Sequence, residues 1–330
     1  MTSHAEASRM DGVLPSIAAA IGNTPLVALN NLTRDLDGRI LAKLEMMNPG
    51  TSKKDRIALR IIEEAEAAGL LVPGATIVEL TSGSTGTGVA LVCAARGYRF
   101  IAVMSEGNSK ERAVMMRALG ANVVLVEQAT GATPGQVSGD DLKLVEDRTQ
   151  MIVKELGAFR IDQFNRPGNS AAHQFGTGPE IWDASQGSIT AFCDFVGSGG
   201  TFAGLWRAFK ERNSEVRGYV VEPHSAAVLA GDTLISQQHK IQGGGYAMPD
   251  LPLLEGITPD GFVKVSDREA VEMARRLACE EGIFAGYSAG ANVAAAMKLL
   301  QGSERGGDIA VIICDTGLKY MSNDLWTGEP

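Results

Sequence analysis

The chain has 330 residues, 45% of them hydrophobic, so it can bury a large core and is long enough for two lobes. Its 30 Lys and Arg against 39 Asp and Glu give a net charge of -9, without a basic run that would bind a phosphate backbone, so we expect no nucleic acid partner. The polar start, residues 1–12, does not resemble a signal peptide, and no run reaches the ~18 apolar residues of a membrane span. We therefore expect a cytoplasmic protein.

Short apolar runs rich in Val and Ile alternate with segments of helical periodicity along the whole chain. In order they are RILAKLE, TIVEL, RFIAVM, NVVLV, FCDFV, RGYVVE and IAVIIC. This alternation predicts an α/β protein with parallel sheets covered by helices on both faces. We expect a boundary between lobes near residue 160, and a loop in the Gly- and Asp-rich stretch 127–144.

The segment NPGTSKKDRIALRIIEEAEAAGLL, residues 48–71, predicts a helix capped by Ser52. Helical spacing places Lys54 on the apolar face, whereas Lys53 is expected on the solvent side with Arg56. Burial and the positive end of the helix dipole lower the pKa of an inward lysine and favour a neutral, nucleophilic amine. The alternative is a surface lysine that extends into solvent at the helix end.

Two junctions between a strand and a helix are unusually rich in Gly, Ser and Thr. One runs from Thr81 to Gly88 in TIVELTSGSTGTGVALVCAA, and the other from Gly197 to Thr201 in FCDFVGSGGTFAGLWRAFKER. A glycine turn at a helix N-terminus presents N–H groups that suit a carboxylate or phosphate. Each loop alone could be a tight turn with a helix cap, but the two together predict a ligand with two anionic ends.

The five-residue sequence GYSAG, from Gly286 to Gly290, matches the GxSxG turn that presents a nucleophilic serine in α/β-hydrolases. A hydrolase would place its histidine after Ser288 in the usual order, but all four histidines of this chain precede it. Other orders of a triad exist, so a serine hydrolase remains a distant alternative. The four cysteines are scattered and have no metal-ligand spacing, so we expect no metal.

From about residue 20 to about 325, eight blocks resemble, in order, those of the cysteine synthase and cystathionine β-synthase family. They are IGNTPLVAL, LAKLEMMNPGTSKKDRIA, ELTSGSTGTG, DQFNRPGNSAAHQFGTGPEIW, VGSGGT, HKIQGGG, GYSAGAN and CDTGLKY. These are pyridoxal-phosphate enzymes of fold type II, so the resemblance implies pyridoxal 5'-phosphate in a cleft between two lobes, each with a mostly parallel twisted sheet. It implies a larger cofactor-binding domain of residues 1–50 and 161–330, and a smaller, mobile substrate-binding domain of residues 51–160.

The resemblance also assigns roles to residues. Lys54 aligns with the lysine that forms an imine with the cofactor, Ser84 with an asparagine that contacts its 3'-oxygen, and Ser288 with the residue that hydrogen-bonds its pyridine nitrogen. The residues expected to bind the cofactor phosphate are Gly197, Ser198, Gly199, Gly200 and Thr201. Those expected to bind the substrate are Thr81, Ser82, Gly83, Thr85, Gln163 and Gly243.

The reaction that the resemblance implies is β-replacement on an O-activated serine through an aminoacrylate, with Lys54 as the base for the Cα proton. In the commonest branch, O-acetylserine and sulfide give cysteine and acetate. Other donors (O-phosphoserine, serine), other nucleophiles (homocysteine, thiosulfate, an amine) and plain β-elimination remain alternatives. The expected partners are a small amino-acid substrate, a small nucleophile, a second copy in a homodimer, and a serine acetyltransferase.

Four departures from the family pattern leave the donor and the nucleophile open. Ser84 replaces the asparagine, and HKIQGGGYAMP is one residue shorter than the family block and introduces Tyr246. The stretch 127–144 is longer than usual. In CDTGLKY, Cys314 replaces a proline and Leu318-Lys319 replaces a Glu-Arg pair.

Overall fold

The computed structural model describes residues 12–132 and 137–327, so most of the polar start lies outside the described residues. Within them, the strands form two sheets. The strands are β1 (Leu26–Ala28), β2 (Arg39–Lys43), β3 (Thr76–Leu80), β4 (Arg99–Ser105), β5 (Asn122–Val126), β6 (Phe159–Arg160), β7 (Ala191–Phe195), β8 (Arg217–Pro223), β9 (Gly261–Val265) and β10 (Asp308–Ile312).

The larger sheet has six strands in the order β1-β2-β10-β7-β8-β9, and the smaller has four in the order β5-β4-β3-β6. Only the β1–β2 pair is antiparallel in the described part of these sheets. The helices are α1 (Lys54–Ala67), α2 (Ser84–Arg96), α3 (Lys110–Ala118), α4 (Gly139–Leu156), α5 (Gly168–Ala172), α6 (Gly178–Ala184), α7 (Gly200–Lys210), α8 (Asp267–Glu281), α9 (Tyr287–Gln301) and α10 (Asp324–Thr327), with a π-helical turn at His173–Thr177.

The central strands β3, β7 and β10 are buried on both faces, and successive residues of each strand point to opposite sides of its sheet. In β7, Cys193 packs with the residues of α8 and α9, whereas Phe192 packs with those of α7. In β3, Ile77 faces α1 and α2, whereas Val78 faces α4. The predicted fold class, two mostly parallel sheets flanked by helices, is confirmed.

The predicted loop 127–144 is wrong in its last part, because α4 begins at Gly139. Ser138 and Asp141 form a capping box there, in which each side chain bonds the backbone N–H of the other residue. Residues 133–136 of this stretch lie outside the described residues. The cap shows that polar residues we interpreted as loop residues start a helix.

The parallel order brings the two predicted anion loops to carboxyl ends of strands, which is where ligands bind in open α/β sheets. The Thr81 loop connects β3 to α2, and the Gly197 loop connects β7 to α7. All strands of the smaller sheet lie within the predicted smaller domain, residues 51–160, whose mobility stays a prediction. No helix among the described residues is long and apolar enough to cross a membrane.

Candidate active site

The two loops open into one cleft that surrounds Lys54. Its empty volume is about 570 Å³, open solvent at its mouth included. The predicted site residues that line it, or its continuation beneath the Gly197 loop, are Lys54, Ser82, Ser84, Thr85, Gln163, Gly197, Ser198, Gly199, Gly200, Thr201, Gly243 and Ser288. Thr81 and Gly83 support the cleft from behind, as described below. The structure therefore brings together side chains that are up to about two hundred residues apart.

Lys54 is the first residue of α1, and its backbone N–H donates to Ser52 Oγ at 3.3 Å. Its amine makes no hydrogen bond or ion pair to any other described residue, and the side chain reaches both parts of the cleft. Burial and, second, the neighbouring charge of Lys53 together lower the pKa of Lys54 to about 8. The side chain points inward as predicted, and these surroundings favour the lowered pKa that we expected.

Lys53 corrects our prediction of a solvent-facing side chain. Its ammonium forms an ion pair with Asp194 at 2.8 Å, and only 10% of its side chain is exposed. The prediction for Arg56 was also wrong, because its guanidinium is buried against Glu45 at 2.6 Å and Glu180 at 2.7 Å. The start of α1 is thus anchored by charged side chains that point into the protein.

The loop from Gly197 to Thr201 is shaped so that bare backbone borders the cleft. A Cβ at Gly197 would lie 2.6 Å from the carbonyl oxygen of Gly243, and a Cβ at Gly200 would overlap the amide of Asn169. Gly199 has a φ of +82°, a left-handed conformation that favours glycine. No N–H group from Gly197 to Thr201 donates to another described residue, so this helix N-terminus is free to bind an anion.

The loop from Thr81 to Thr85 is built mainly from hydroxyl groups. Thr81 Oγ1 accepts the N–H groups of Gly83 and Gly86, both at 2.9 Å, which fixes the turn into α2. Gly83 has a φ of +128° and packs against the side chain of Arg112, which donates to the Ser82 carbonyl at 2.7 Å. The N–H groups of Ser82, Ser84 and Thr85 donate to no other described residue.

Gln163 and Asn169 connect the two loops. The Thr85 hydroxyl donates to Gln163 Oε1 at 2.7 Å, and the Gln163 side chain donates to the Leu80 carbonyl at 3.2 Å. Asn169 Nδ2 donates to the Gln163 carbonyl at 2.7 Å and to Ser198 Oγ at 2.9 Å. Movement of one loop is therefore transmitted to the other through buried amides.

Glu79 holds the backbone that carries Gln163. Its carboxylate accepts the N–H of Asp162 at 2.8 Å and the N–H of Gln163 at 3.3 Å. Burial raises the pKa of Glu79 to about 7, although the charge of Arg160 and these hydrogen bonds act in the opposite direction. This carboxyl group fixes the position of Gln163 from beneath the cleft.

Ser288 is the second residue of α9 and is 7% exposed. Its hydroxyl lies against the Cys314 thiol, whose pKa burial raises to about 11. No histidine is among the described residues that line either part of the cleft, and the buried His173 pairs with Thr177 and Thr201 instead. The described cleft thus gives Ser288 no histidine base, which counts against a serine hydrolase of the usual Ser-Asp-His kind.

Ser84 is held away from the cleft centre by polar groups of the other lobe. Its hydroxyl donates to Asp315 Oδ2 at 3.3 Å, and the same oxygen accepts the Tyr320 hydroxyl at 2.9 Å. Arg112 donates to the Tyr320 oxygen at 2.5 Å. The short Ser84 side chain is thus part of a buried polar network between the lobes.

Gly243 belongs to a loop that closes one side of the cleft. Gly243, Gly245 and Ala247 all have positive φ, and the Gly245 N–H donates to the Val196 carbonyl at 2.9 Å. Tyr246 lies beside this bond, and its ring meets Phe164 edge-on with the centroids 6.1 Å apart. The shortened HKIQGGGYAMP block therefore places an aromatic wall on the cleft.

Asp194 and Asn169 are the functional neighbours that sequence reasoning missed. Asp194 interrupts the apolar run FCDFV of a fully buried strand, and an acid at such a position needs a cation as its partner. That pattern was a usable signal, although it does not say which cation. Asn169 stands in a resembling block but had no local pattern that indicated its contacts.

Comparison with known proteins supports the geometric interpretation. The family model of pyridoxal-phosphate dependent enzymes matches residues 17–315. Cysteine synthase 3 from Caenorhabditis elegans is 41% identical over 310 residues, which cover 93% of this chain and 88% of the relative. The solved O-ureido-L-serine synthase is 38% identical, with a TM-score of 0.84 over 96% of each chain. Cysteine synthase from Entamoeba histolytica is 32% identical, with a TM-score of 0.88 over 100% of this chain and 95% of that chain.

The chain belongs to the pyridoxal-phosphate dependent enzymes. Within them it is a member of the cysteine synthase and cystathionine β-synthase family, as the resemblance predicted. The site fits the cofactor on its own evidence, because a buried lysine with a lowered pKa and a bare helix N-terminus border one cleft. The expected cofactor and the expected class of enzyme are therefore confirmed.

Proposed function

We propose that this enzyme catalyses β-replacement on an O-activated serine, most simply O-acetylserine with sulfide to give cysteine and acetate. The observation that carries the proposal is the buried Lys54 amine, whose pKa is lowered, between two helix N-termini whose N–H groups are unpaired among the described residues. One terminus suits the phosphate of the cofactor and the other suits the α-carboxylate of an amino acid. The names of the compared relatives, cysteine synthase and O-ureido-L-serine synthase, support this class of reaction.

The cofactor supplies, when bound, the electron sink that stabilises negative charge at the substrate Cα. In our proposal the free N–H groups from Gly197 to Thr201 bind its phosphate, and the Ser288 hydroxyl bonds its pyridine nitrogen. Lys54 is the residue that holds it covalently. The Ser84 hydroxyl donates to Asp315. To contact the 3'-oxygen of the cofactor, as the resemblance implies, this hydroxyl would have to leave Asp315.

The substrate residues act in the same cleft. The N–H groups of Ser82, Ser84 and Thr85 and the amide of Gln163 bind the α-carboxylate, while Thr81 and Gly83 maintain the turn. The neutral Lys54 amine accepts the Cα proton, the acetate leaves Cβ with its electron pair, and the sulfide adds there. The Lys54 ammonium then returns the proton to Cα.

The size of the cleft favours a small nucleophile. Leu142, Phe164 and Tyr246 line one side of it, and Gly243 borders it where a larger residue would need a positive φ. Sulfide needs little space beside these walls, whereas homocysteine carries a chain of its own that must also be accommodated. This observation supports cysteine synthesis over the synthesis of cystathionine.

We also propose the finer features that the resemblance implies. These are a cytoplasmic homodimer, closure of residues 51–160 over the substrate, and binding of a serine acetyltransferase. Sedimentation of the purified enzyme, alone and with an acetyltransferase, tests both assemblies.

Lys54→Ala tests the core of the proposal. Purified wild-type protein is expected to be yellow and to convert O-acetylserine and sulfide to cysteine, whereas Lys54→Ala should lose turnover by at least about 1,000-fold, because it removes both the attachment and the base. Lys210→Ala, at a half-buried lysine of α7 that pairs with Asp260 and does not line the cleft, is the matched control and should keep full activity. A colourless active protein labelled at Ser288 by a fluorophosphonate would contradict the proposal.

A panel of donors and nucleophiles tests the substrate. We expect O-acetylserine and sulfide to give the highest kcat/KM among O-acetylserine, O-phosphoserine and serine, each combined with sulfide, thiosulfate, homocysteine or an amine. A preference for homocysteine would refute the choice of nucleophile. Pyruvate release without any added nucleophile would show that β-elimination is the main reaction.

A further inference from the structure

A buried ion pair lies against Lys54, and the proposed reaction does not use it. Lys53 Nζ donates to Asp194 Oδ1 at 2.8 Å, and the two side chains are 10% and 2% exposed. Burying two ions costs desolvation energy that their attraction often fails to recover, so such a pair is weak evidence of stability. Because the pair lies in the cleft, its charges act on the neighbouring Lys54 amine.

The pair is part of the cleft wall itself. Lys53, Lys54 and Asp194 all line the cavity beneath the Gly197 loop, and Asp194 is the residue before the last of β7. On its face of the strand, Asp194 lies between the apolar Phe192 and Val196, so the carboxylate has Lys53 as its charged partner there. Asp194 thus fixes the Lys53 ammonium next to Lys54.

Four groups face the Lys54 amine from the elements packed around it. They are Lys53 at the start of α1, Asp194 on β7, Cys314 after β10 and Glu79 on β3. Burial lowers the pKa of Lys54 most, and Lys53 lowers it further, while the other three act in the opposite direction. Burial alone would lower the pKa of Lys53 too, but the charge of Asp194 holds it above its ordinary value. The pKa values of the two adjacent lysines are therefore shifted in opposite directions.

We propose that Lys53 is a positioning residue whose ammonium, fixed by Asp194, favours the neutral form of the Lys54 amine in the cleft before the cofactor binds. The inference rests on the proposed role of Lys54. His173, which also lies near both lysines, adds no positive charge of its own because burial holds its pKa well below the ordinary value. Lys53 is then the cation that acts most strongly on the Lys54 amine.

The test uses the full-length protein after removal of its cofactor. The rate at which added pyridoxal phosphate produces the visible imine band is measured from pH 6 to 10.5, because only the neutral amine reacts. Lys53→Met keeps the length of the side chain and removes its charge. We expect the midpoint of the pH profile to rise by about one unit, so that the rate well below the midpoint falls about tenfold.

Three variants isolate the charge from its structural effects. Lys53→Arg keeps the cation and should keep the wild-type midpoint. The Lys53→Met, Asp194→Asn double variant leaves no unpaired buried charge, so it is expected to fold. Its midpoint should also rise, but less than in Lys53→Met, because the carboxylate that raises the pKa of Lys54 is removed together with the ammonium that lowers it. Arg60→Met removes an exposed cation from the same helix and should leave the midpoint unchanged.

The results distinguish the role of Lys53 from the proposed role of Lys54. The inference is overturned if Lys53→Met and the double variant both keep the wild-type midpoint. It is also overturned if the midpoint of the wild-type protein itself lies near 10. Lys54→Ala should form no band at any pH. If the band persists in Lys54→Ala, the proposed site itself is wrong. If the band is lost in Lys54→Ala but the midpoint of Lys53→Met equals that of the wild type, only the role of Lys53 is wrong.

Discussion

The loop from Gly197 to Thr201 and the loop from Thr81 to Thr85 both begin a helix, but they hold their shape by different means. In the first, side chains are absent where the backbone comes close to Asn169 and to the Gly243 carbonyl. In the second, hydroxyl groups and an arginine fix the turn through hydrogen bonds. A loop fixed by backbone packing is rigid, whereas a loop fixed by side-chain hydrogen bonds can exchange its partners.

The partners of the second loop also lie on both lobes. Arg112 comes from the smaller lobe and bonds Tyr320 of the larger one, and the Ser84 hydroxyl bonds Asp315 across the same boundary. These bonds must rearrange if residues 51–160 close over a substrate. Under the proposed function, we therefore expect the first loop to hold the cofactor permanently and the second to bind the substrate reversibly, and each variant below tests the two loops separately.

Gly200→Ala should have the largest effect and should act on the cofactor. The added Cβ overlaps the buried amide of Asn169, and overpacking of this kind costs about 1 to 3 kcal/mol. At the upper end of that range the Kd for pyridoxal phosphate rises about 100-fold, measured by titration of the cofactor-free protein. Gly204→Ala is the matched control, because its Cβ overlaps the Ser170 carbonyl outside the cleft. Equal loss of cofactor affinity in both variants would show a general unfolding of α7.

Gly83→Ala should act on the substrate and leave the cofactor bound. Its φ of +128° is one that an alanine rarely adopts, and the Cβ would overlap the Arg112 side chain. Backbone strain of this kind costs about 1 to 3 kcal/mol, so we expect kcat/KM for the donor to fall about 20-fold. Gly97→Ala, at a φ of +75° with open space at the other end of α2, should lower only the melting temperature. Loss of the yellow colour in Gly83→Ala would contradict the separation of the two loops.

The parts of this site that could be predicted are local in sequence. A Gly- and Ser-rich stretch between a strand and a helix predicts an anion loop, and a lysine at a helix start with the right spacing predicts an inward amine. Lys53 could not be placed in this way, because α1 begins at Lys54 and helical spacing does not extend to the residue before it. Its partner Asp194 is 141 residues away, and only the parallel order of the strands brings it near.

Thr85→Val should have a smaller effect, again on the substrate loop alone. The variant removes the hydroxyl that donates to Gln163 Oε1 and leaves that buried amide oxygen without this partner. Such a loss costs about 1 kcal/mol or more, so the KM for the donor should rise about fivefold while kcat changes little. Thr85→Ser retains the hydroxyl and should restore the KM. An unchanged KM in Thr85→Val would show that Gln163 does not help to bind the carboxylate.

Ser288→Ala should have a similarly modest effect, on kcat instead of KM, and it tests a third helix N-terminus that borders both parts of the cleft. A nucleophilic serine would be indispensable, whereas a hydroxyl that only hydrogen-bonds the cofactor contributes about 0.5 to 1.5 kcal/mol. We therefore expect a yellow protein whose kcat falls about threefold to tenfold, with its visible band shifted because the hydrogen bond to the ring is gone. Ser288→Thr keeps the hydroxyl and should restore the position of the band. If Ser288→Ala instead loses its cofactor as Gly200→Ala does, then Ser288 belongs functionally with the rigid loop, and cofactor affinity depends on both helix N-termini.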